Sequence, residues 1–274
     1  MVETKKQEID IFSFPIPSWL DPLAEIKEIS QPEAYRNLSG NDKDICFFLN
    51  CFINLARITP KLSIKQIFWV TANSCGETGW GEFWKGFNFG GVKCRKDLAK
   101  RTKERTGKSE RFYRSKGHTK AGDAVVVFYR GFDSPQDFFD DWVDRYVPLN
   151  STPSYNYHEA GKKFWNSDPA WFIEIMKAGY KGENSETNKE IQQGSYNSFL
   201  SATKRIQTLF VQFCLGLKTD GSYGPKTRKA VIEFETLHKI NSSNPGELSD
   251  ELVEYLFGYW INDLKGKTPS SIIL

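Results

Sequence analysis

Apolar residues recur at intervals of three and four along most of this chain, which is the spacing of an amphipathic helix. One such stripe predicts a helix over residues 42–56. A second helix is predicted to begin at Ser63, because Gln66 three residues later completes a capping box. Its apolar face continues to Glu77, where closely spaced glycines predict the end of the helix and a turn.

The middle of the chain changes to a strand pattern. The run at 124–129, Ala-Val-Val-Val-Phe-Tyr, is rich in β-branched and aromatic residues and predicts a strand. The run at 110–114 is predicted to pair with it as a hairpin across a loop at 117–122. Further helices are predicted after Ser134, an N-cap followed by proline, and over about 168–177.

These elements divide the chain into three parts. Residues 1–40 contain several prolines and predict an extended lead-in. Residues 41–190 predict a mainly α domain, of the α+β class, with one small hairpin. The polar stretch 181–198 has the composition of a linker. After it, three short apolar stripes predict a three-helix module over 198–262.

Composition adds limits on function. The 274 residues are 39% hydrophobic and 26% charged, which is typical of a globular protein. The net charge of only +3 argues against a protein dedicated to coating nucleic acid. The basic run 93–120 carries twelve Lys or Arg against three acids, a charge of +9. It is interpreted either as a solvated face or as a surface for an anionic ligand, with nucleic acid as the competing ligand.

The chain also carries few signals for targeting, metals or disulfides. No apolar stretch resembles a signal peptide or a membrane-spanning helix, so we expect synthesis in the cytoplasm and no membrane insertion. The five cysteines form no Cys-x-x-Cys pair and are expected to be reduced, with a Cys75–Cys94 bridge after export as the alternative. The three histidines are far apart in sequence, so no metal or other cofactor is expected.

The first candidate for chemistry is Glu77, at the predicted end of an apolar helix. Negative charge is disfavoured at a helix C-terminus, so the position is not explained by helix stability. A carboxyl group against apolar walls loses hydration, which favours the protonated form that a general acid requires. The alternative is an ordinary solvated glutamate. The aromatic residues near it in sequence, and therefore its expected walls, are Trp69, Trp80, Phe83 and Trp84.

Two segments around Glu77 carry a family resemblance. Residues 74–81, Ser-Cys-Gly-Glu-Thr-Gly-Trp-Gly, and 87–93, Phe-Asn-Phe-Gly-Gly-Val-Lys, resemble the glucosaminidase family of peptidoglycan hydrolases, glycoside hydrolase family 73. The resemblance implies a lysozyme-like helical catalytic domain in which Glu77 is catalytic and Trp80 and Asn88 contact substrate.

The resemblance extends over roughly residues 42–191 and departs from the family pattern at a few positions. Later segments follow in the family's order, the last being Asp-Pro-Ala-Trp at 168–171 through Ala-Gly-Tyr at 178–180. The departures, which leave the details of the groove open, are Cys75, Thr78 and Gly90.

Glycosidases commonly use a second carboxylate. The resemblance places it on the hairpin, thirty to forty residues after the first, which favours Glu110 and leaves Asp123 and Glu104 as rivals. The substrate's own N-acetyl group is a further alternative. The resemblance also implies that Tyr155 positions water or the acetamido group; the alternative is a half-buried core tyrosine.

Residues 198–258 resemble the peptidoglycan-binding type 1 domain, a small three-helix fold. The matching signature is Asp-Gly-Ser-Tyr-Gly-Pro-Lys-Thr at 220–227. It implies that Asp220 and Tyr223 bind the wall, although the same motif also fixes the turn and the start of the next helix.

Together these features predict a peptidoglycan hydrolase, expected to be an endo-β-N-acetylglucosaminidase. The alternatives are a lysozyme that cleaves after N-acetylmuramic acid, and a non-catalytic wall-binding adaptor. The expected partner is peptidoglycan. Without a signal peptide, the protein is expected to reach the periplasm or cell wall as a phage lysin or as an antibacterial effector. An effector implies a secretion or injection apparatus and a cognate immunity protein.

Overall fold

The computed structural model describes residues 10, 12, 14–27, 31–58, 61–118, 124–180 and 188–264. These residues are mainly helical and contain a single two-stranded antiparallel sheet, as the α+β interpretation predicts. The helices are α1 Glu33–Arg36, α2 Gly40–Leu55, α3 Ile64–Thr78, α4 Lys96–Thr106, α5 Pro135–Tyr146, α6 His158–Trp165, α7 Trp171–Lys177, α8 Lys189–Cys214, α9 Pro225–His238 and α10 Asp250–Leu264. The strands are β1 Phe112–His118 and β2 Ala124–Arg130.

Helix α3 begins and ends as its sequence predicts. The Ser63 hydroxyl accepts a hydrogen bond from the Gln66 backbone, and the Gln66 side chain accepts one from the Ser63 N–H, which completes the capping box. Gly79 closes the helix in the left-handed conformation at φ 58°. These local signals therefore fix where the last turn of α3 lies.

The predicted hairpin is confirmed, with its strands in the register that pairs Phe112 with Arg130. The N-terminal segment lies along β1, because the Ile26 N–H donates to the carbonyl of Phe112 at 2.8 Å. The Glu25 carboxylate lies 2.7 Å from the Arg114 guanidinium, and both side chains are buried. The lead-in is thus fastened to the hairpin, and its end also contains the short helix α1.

The centre of the core is a set of aromatic rings in contact with Phe52. Phe52 of α2 has its ring centroid 4.9 Å from Phe210, 5.2 Å from Trp260, 5.7 Å from Phe257 and 5.9 Å from Phe68. Removing such a ring costs about 3–5 kcal/mol. Because Phe210 lies on α8 and Trp260 on α10, the first and last parts of the chain share one core.

The linker predicted over 181–198 is wrong for its second half. Residues 189–198 are the first turns of α8, which spans the predicted boundary between 190 and 198. Asn188 caps this helix through hydrogen bonds from the N–H groups of Glu190 and Ile191. Phe199 stacks on Phe172 of α7 at 4.3 Å. Polar composition indicated a linker because the helix buries only one narrow face.

Candidate active site

Glu77 lies in the last turn of α3 and is half-buried. The turn after it is held by Thr78, whose hydroxyl donates to the carbonyl of Ser74 and accepts from the N–H of Gly81. Glu77 therefore stands on a rigid element, close to the point where the chain leaves the helix. A rigid support of this kind is what a catalytic side chain requires.

Two side chains are linked to Glu77, Asn73 by its position on α3 and Tyr180 by electrostatics. Asn73 precedes Glu77 by four residues and so lies on the same face of α3. Its Nδ2 donates to the Tyr180 hydroxyl at 2.8 Å, and the indole Nε1 of Trp142 donates to the same oxygen at 3.3 Å. Burial, with the negative charge of Glu77 as the next cause, holds the pKa of Tyr180 well above its usual range.

This arrangement leaves the Tyr180 proton available to an acceptor. Its oxygen already accepts two hydrogen bonds, and the nearby anion is the Glu77 carboxylate. The sequence did not single out Asn73 or Tyr180 as site residues. The spacing of four from Asn73 to Glu77 and the Ala-Gly-Tyr segment at 178–180 were the available signals.

Two of the four predicted aromatic walls of Glu77, Trp69 and Trp84, are instead packed into the core. Trp69 is buried against Phe164 and Trp171, and Trp84 is buried against Tyr35. The reason is that Trp69 lies on the core face of α3. Phe83 is 80% exposed.

Trp80, predicted to bind substrate, is half-buried beside a residue of α8. The guanidinium of Arg205 lies 4.0 Å from the centroid of its ring. One face of the ring is therefore occupied by protein.

Glu110 borders a cavity of about 330 Å³, but only 1% of its side chain is exposed. Its carboxylate is ion-paired with Arg130, and Arg145 lies 3.8 Å from the same oxygen. Arg130 also pairs with Asp141. Burial raises the pKa of Glu110, while the two arginines oppose that change. The prediction of Glu110 as the second catalytic carboxylate is therefore not supported by its position, since both arginines compete with any substrate for it.

The alternatives to Glu110 as the second carboxylate are Asp123 and Glu104. Asp123 lies outside the described residues. Glu104 is exposed on α4, 3.8 Å from Lys100. It borders a cleft of about 640 Å³. Tyr155 borders the same cleft, so the structure brings these two predicted residues together.

Tyr155 uses its hydroxyl within the protein, donating to the carbonyl of Arg145 at 2.9 Å. A series of ring contacts connects it to Tyr180 through Tyr157 and Tyr146, at centroid distances of 6.2, 5.0 and 4.8 Å. Burial and, after it, the charge of Glu77 raise the pKa of Tyr180, which lies at the opposite end of this series from Tyr155.

Asn88, also predicted to contact substrate, is buried. Its Nδ2 donates to the carbonyls of Val92 and Arg130, and its Oδ1 accepts from the Val92 N–H at 2.8 Å. The side chain thereby ties the loop after α3 to the end of β2. Its polar atoms serve the backbone, so the substrate-binding assignment is not supported by its position.

The C-terminal signature forms a turn organised by Gln212. The Gln212 amide donates to the Asp220 carboxylate at 3.0 Å and to the Thr227 hydroxyl at 3.1 Å. Hydrogen bonds from the Ser222 N–H and then from Gln212 lower the pKa of Asp220. The carboxylate of Asp220 is consequently engaged in holding the turn.

Tyr223 lies at the edge of a separate cleft of about 730 Å³. Its hydroxyl donates to the carbonyl of Gly246 at 2.6 Å. The cleft is also bordered by Lys204, Arg228 and Glu247. Of the two predicted wall-binding residues, Tyr223 is the one that faces a cavity with cationic walls.

The described ranges of the chain contain no arrangement typical of metal or disulfide chemistry. Within them, no group of three or more His, Cys, Asp or Glu is arranged to hold a metal ion. All five cysteines lie in described segments and are free thiols, so the alternative Cys75–Cys94 bridge is not formed. None of the described helices has the length and apolar character needed to cross a membrane.

Comparison of this chain with protein-family models, with curated proteins and with solved structures finds no match.

Proposed function

We propose that this protein is a peptidoglycan hydrolase that cleaves β-1,4 glycosidic bonds of the glycan strand, as an endo-β-N-acetylglucosaminidase with a lysozyme-like helical catalytic part. The observation that carries the proposal is the half-buried Glu77 at a helix end, with the Tyr180 hydroxyl within reach of its charge. A carboxyl group on a rigid helix end, next to a held hydroxyl, suits proton transfer to a glycosidic oxygen.

In the proposed first step, the Glu77 carboxyl gives its proton to the oxygen of the leaving sugar as the bond from that oxygen to C1 breaks. The Tyr180 hydroxyl then donates a hydrogen bond to the carboxylate that remains. Its orientation is supported by the two donors on its oxygen, Asn73 and Trp142. Preorganised donors of this kind avoid reorganisation during the reaction.

The acetamido group of the substrate takes the place of a second carboxylate in this proposal. Its carbonyl oxygen bonds to C1 as the leaving group departs. A water molecule later attacks C1 and gives its proton to Glu77, while the bond from C1 to the carbonyl oxygen breaks and the acetamide is restored. Substrate-assisted glycosidases use this route. The burial of Glu110 between Arg130 and Arg145 supports it, because a carboxylate held there is not available to water or sugar.

We also propose that the C-terminal helices bind the wall through the cleft at Tyr223. Lys204 and Arg228 border this cleft and supply positive charge for the carboxylates of stem peptides. Action in the periplasm or cell wall, after non-Sec export or phage lysis, belongs to the same proposal. An effector route adds a secretion or injection apparatus and an immunity protein as proposed partners.

The decisive experiment compares wild type with Glu77→Gln on purified peptidoglycan. New reducing ends are identified by mass spectrometry, and folding is checked by circular dichroism. Reducing-end N-acetylglucosamine that disappears in Glu77→Gln supports the proposal. General acid catalysis contributes about 10²–10⁴-fold, so the loss is large.

A matched control is Glu82→Gln, five residues further along. Glu82 is exposed and pairs at 3.1 Å with Lys43, whose own side chain is buried, so folding of this variant is also checked by circular dichroism. This variant is expected to keep wild-type activity. Reducing-end muramic acid identifies the chain as a lysozyme instead. Wild type that binds peptidoglycan without new reducing ends identifies a wall-binding adaptor.

A further inference from the structure

Trp80 has a backbone conformation that requires support. Its φ is 59°, in the left-handed region that residues other than glycine seldom adopt. The Trp80 N–H donates to the carbonyl of Cys75 at 2.8 Å, which completes the end of α3. The indole therefore leaves the helix end in a fixed direction, three residues after Glu77.

Arg205 of α8 covers this indole. Its guanidinium lies 4.0 Å from the ring centroid, and its Nη2 lies 2.9 Å from Oδ2 of Asp44 on α2. A third element closes the arrangement. A Cβ at Gly221 would lie 2.9 Å from Cγ of Arg205, so only glycine allows the turn at 219–222 to pack here.

The Arg205 side chain of α8 is therefore the point at which three other parts of the chain meet, those containing Asp44, Trp80 and Gly221. The guanidinium is planar, so one face can lie on the Trp80 ring while one edge donates to Asp44. A lysine ammonium has no such plane and cannot make both contacts at once. About a third of the Arg205 side chain remains exposed, at 37%. The contact joins the turn of the C-terminal signature directly to the turn that follows Glu77.

We propose that Arg205 is a positioning residue of the active site, which holds Trp80 in the orientation that stacks on the glycan strand. Helix α8 is then a fixed wall of the catalytic cleft rather than part of a tethered anchor. This inference rests on the proposed function for its ligand, a glycan strand. Arg205 itself lies outside the predicted catalytic domain 41–190, whereas Trp80 and Asp44, which it contacts, lie within it.

The test measures binding of a soluble peptidoglycan glycan oligomer, by calorimetry, in full-length Glu77→Gln protein that does not turn it over. Arg205→Gln is expected to raise Kd about tenfold, as loss of the ring's support weakens stacking. Trp80→Ala is expected to do the same, and the double variant to be no weaker than Trp80→Ala alone. Arg205→Lys is expected to restore part of the affinity.

The control is Lys229→Gln, an exposed cation on α9 that lies 3.7 Å from Glu233. It is expected to leave Kd unchanged. A structural reading comes from fluorine NMR of 5-fluorotryptophan protein, with the Trp80 resonance assigned from Trp80→Phe. Arg205→Gln is expected to shift that resonance while the other signals and the unfolding midpoint stay close to those of the parent.

The two proposals fail in different ways. Hydrolysis by wild type together with an unchanged Kd in Arg205→Gln overturns the positioning role and leaves the hydrolase. Absence of hydrolysis together with a weaker Kd in Arg205→Gln overturns the hydrolase and keeps the positioning role for a wall-binding protein. Additive losses in the Arg205 and Trp80 double variant also overturn the positioning role, because independent sites add.

Discussion

The carboxylate of Glu110, just before β1, is ion-paired with the guanidinium of Arg130 at the end of β2, and 1% of the Glu110 side chain is exposed. Arg130 is also ion-paired with Asp141 on α5. Arg145, one helical turn after Asp141, lies 3.3 Å from the same aspartate. Two acids and two arginines thus neutralise one another inside the protein. The cluster fastens the base of the hairpin to α5.

Removing the Glu110 charge is therefore expected to damage stability first. Glu110→Gln leaves Arg130 and Arg145 with a single buried acid, and breaking a buried pair costs about 3–5 kcal/mol. Urea unfolding measures this loss. Glu104→Gln, on an exposed residue of α4, is the control and is expected to change stability by less than about 0.5 kcal/mol. Loss of activity at unchanged stability in either variant would instead reveal a catalytic carboxylate.

Replacing Tyr180 tests the proposed partner of Glu77. Tyr180→Phe removes the hydroxyl that accepts hydrogen bonds from Asn73 and Trp142. The same hydroxyl is the proposed donor to the Glu77 carboxylate. We expect kcat to fall about 10²-fold, the typical effect of losing one preorganised donor, and stability to fall by about 1–3 kcal/mol. Steady-state kinetics on soluble glycan measure the first effect. Tyr155→Phe, which loses only a bond to the Arg145 carbonyl, is expected to keep kcat; the reverse pattern contradicts this assignment.

Two helical glycines give a matched pair for packing. A Cβ at Gly161 of α6 would lie 2.3 Å from the carbonyl oxygen of Pro148, a backbone atom that cannot move aside cheaply. Gly161→Ala is expected to destabilise the protein by about 1–3 kcal/mol. At Gly194 of α8 a Cβ meets nothing within 4 Å, and Gly194→Ala is expected to stabilise by about 0.5–1 kcal/mol. Urea midpoints compare them, and a destabilising Gly194→Ala would contradict a continuous helix across 189–198.

Acid is expected to weaken the turn at Asp220. Because the pKa of Asp220 is lowered from 3.8 by the hydrogen bonds of Ser222 and Gln212, its charge stabilises the folded state at neutral pH. That stabilisation is fully present above about pH 5 and is lost as the pH falls below 3.8 through the folded pKa. Asp220→Asn keeps the acceptor oxygen and lacks the charge. Wild type is expected to exceed it in unfolding free energy near pH 6, and this difference is expected to shrink as the pH falls below 3.8; a constant difference would exclude this origin.

The sequence alone determined the features that depend on neighbours along the chain. The capping box at Ser63 and the N-cap at Ser134 specify local structure through atoms only a few residues away. The same signals fixed Glu77 at the end of a helix. These predictions are confirmed because each hydrogen bond or turn that enforces them is formed within its own segment.

The tertiary structure decided which side chains are available for chemistry. The carboxylate of Glu110 is ion-paired with Arg130, twenty positions later in the sequence. The side-chain amide of Asn88 is hydrogen-bonded to the backbone carbonyls of Val92 and Arg130. The boundary predicted near 190 lies instead inside the continuous helix α8. Phe199 of this helix packs on Phe172, and Phe210 packs on Phe52. Burial and pairing depend on which segments, distant in sequence, come into contact in the fold. The pattern of residues along the chain does not contain that information. For the same reason only the folded chain brings Tyr180 to Glu77 and Arg205 to Trp80.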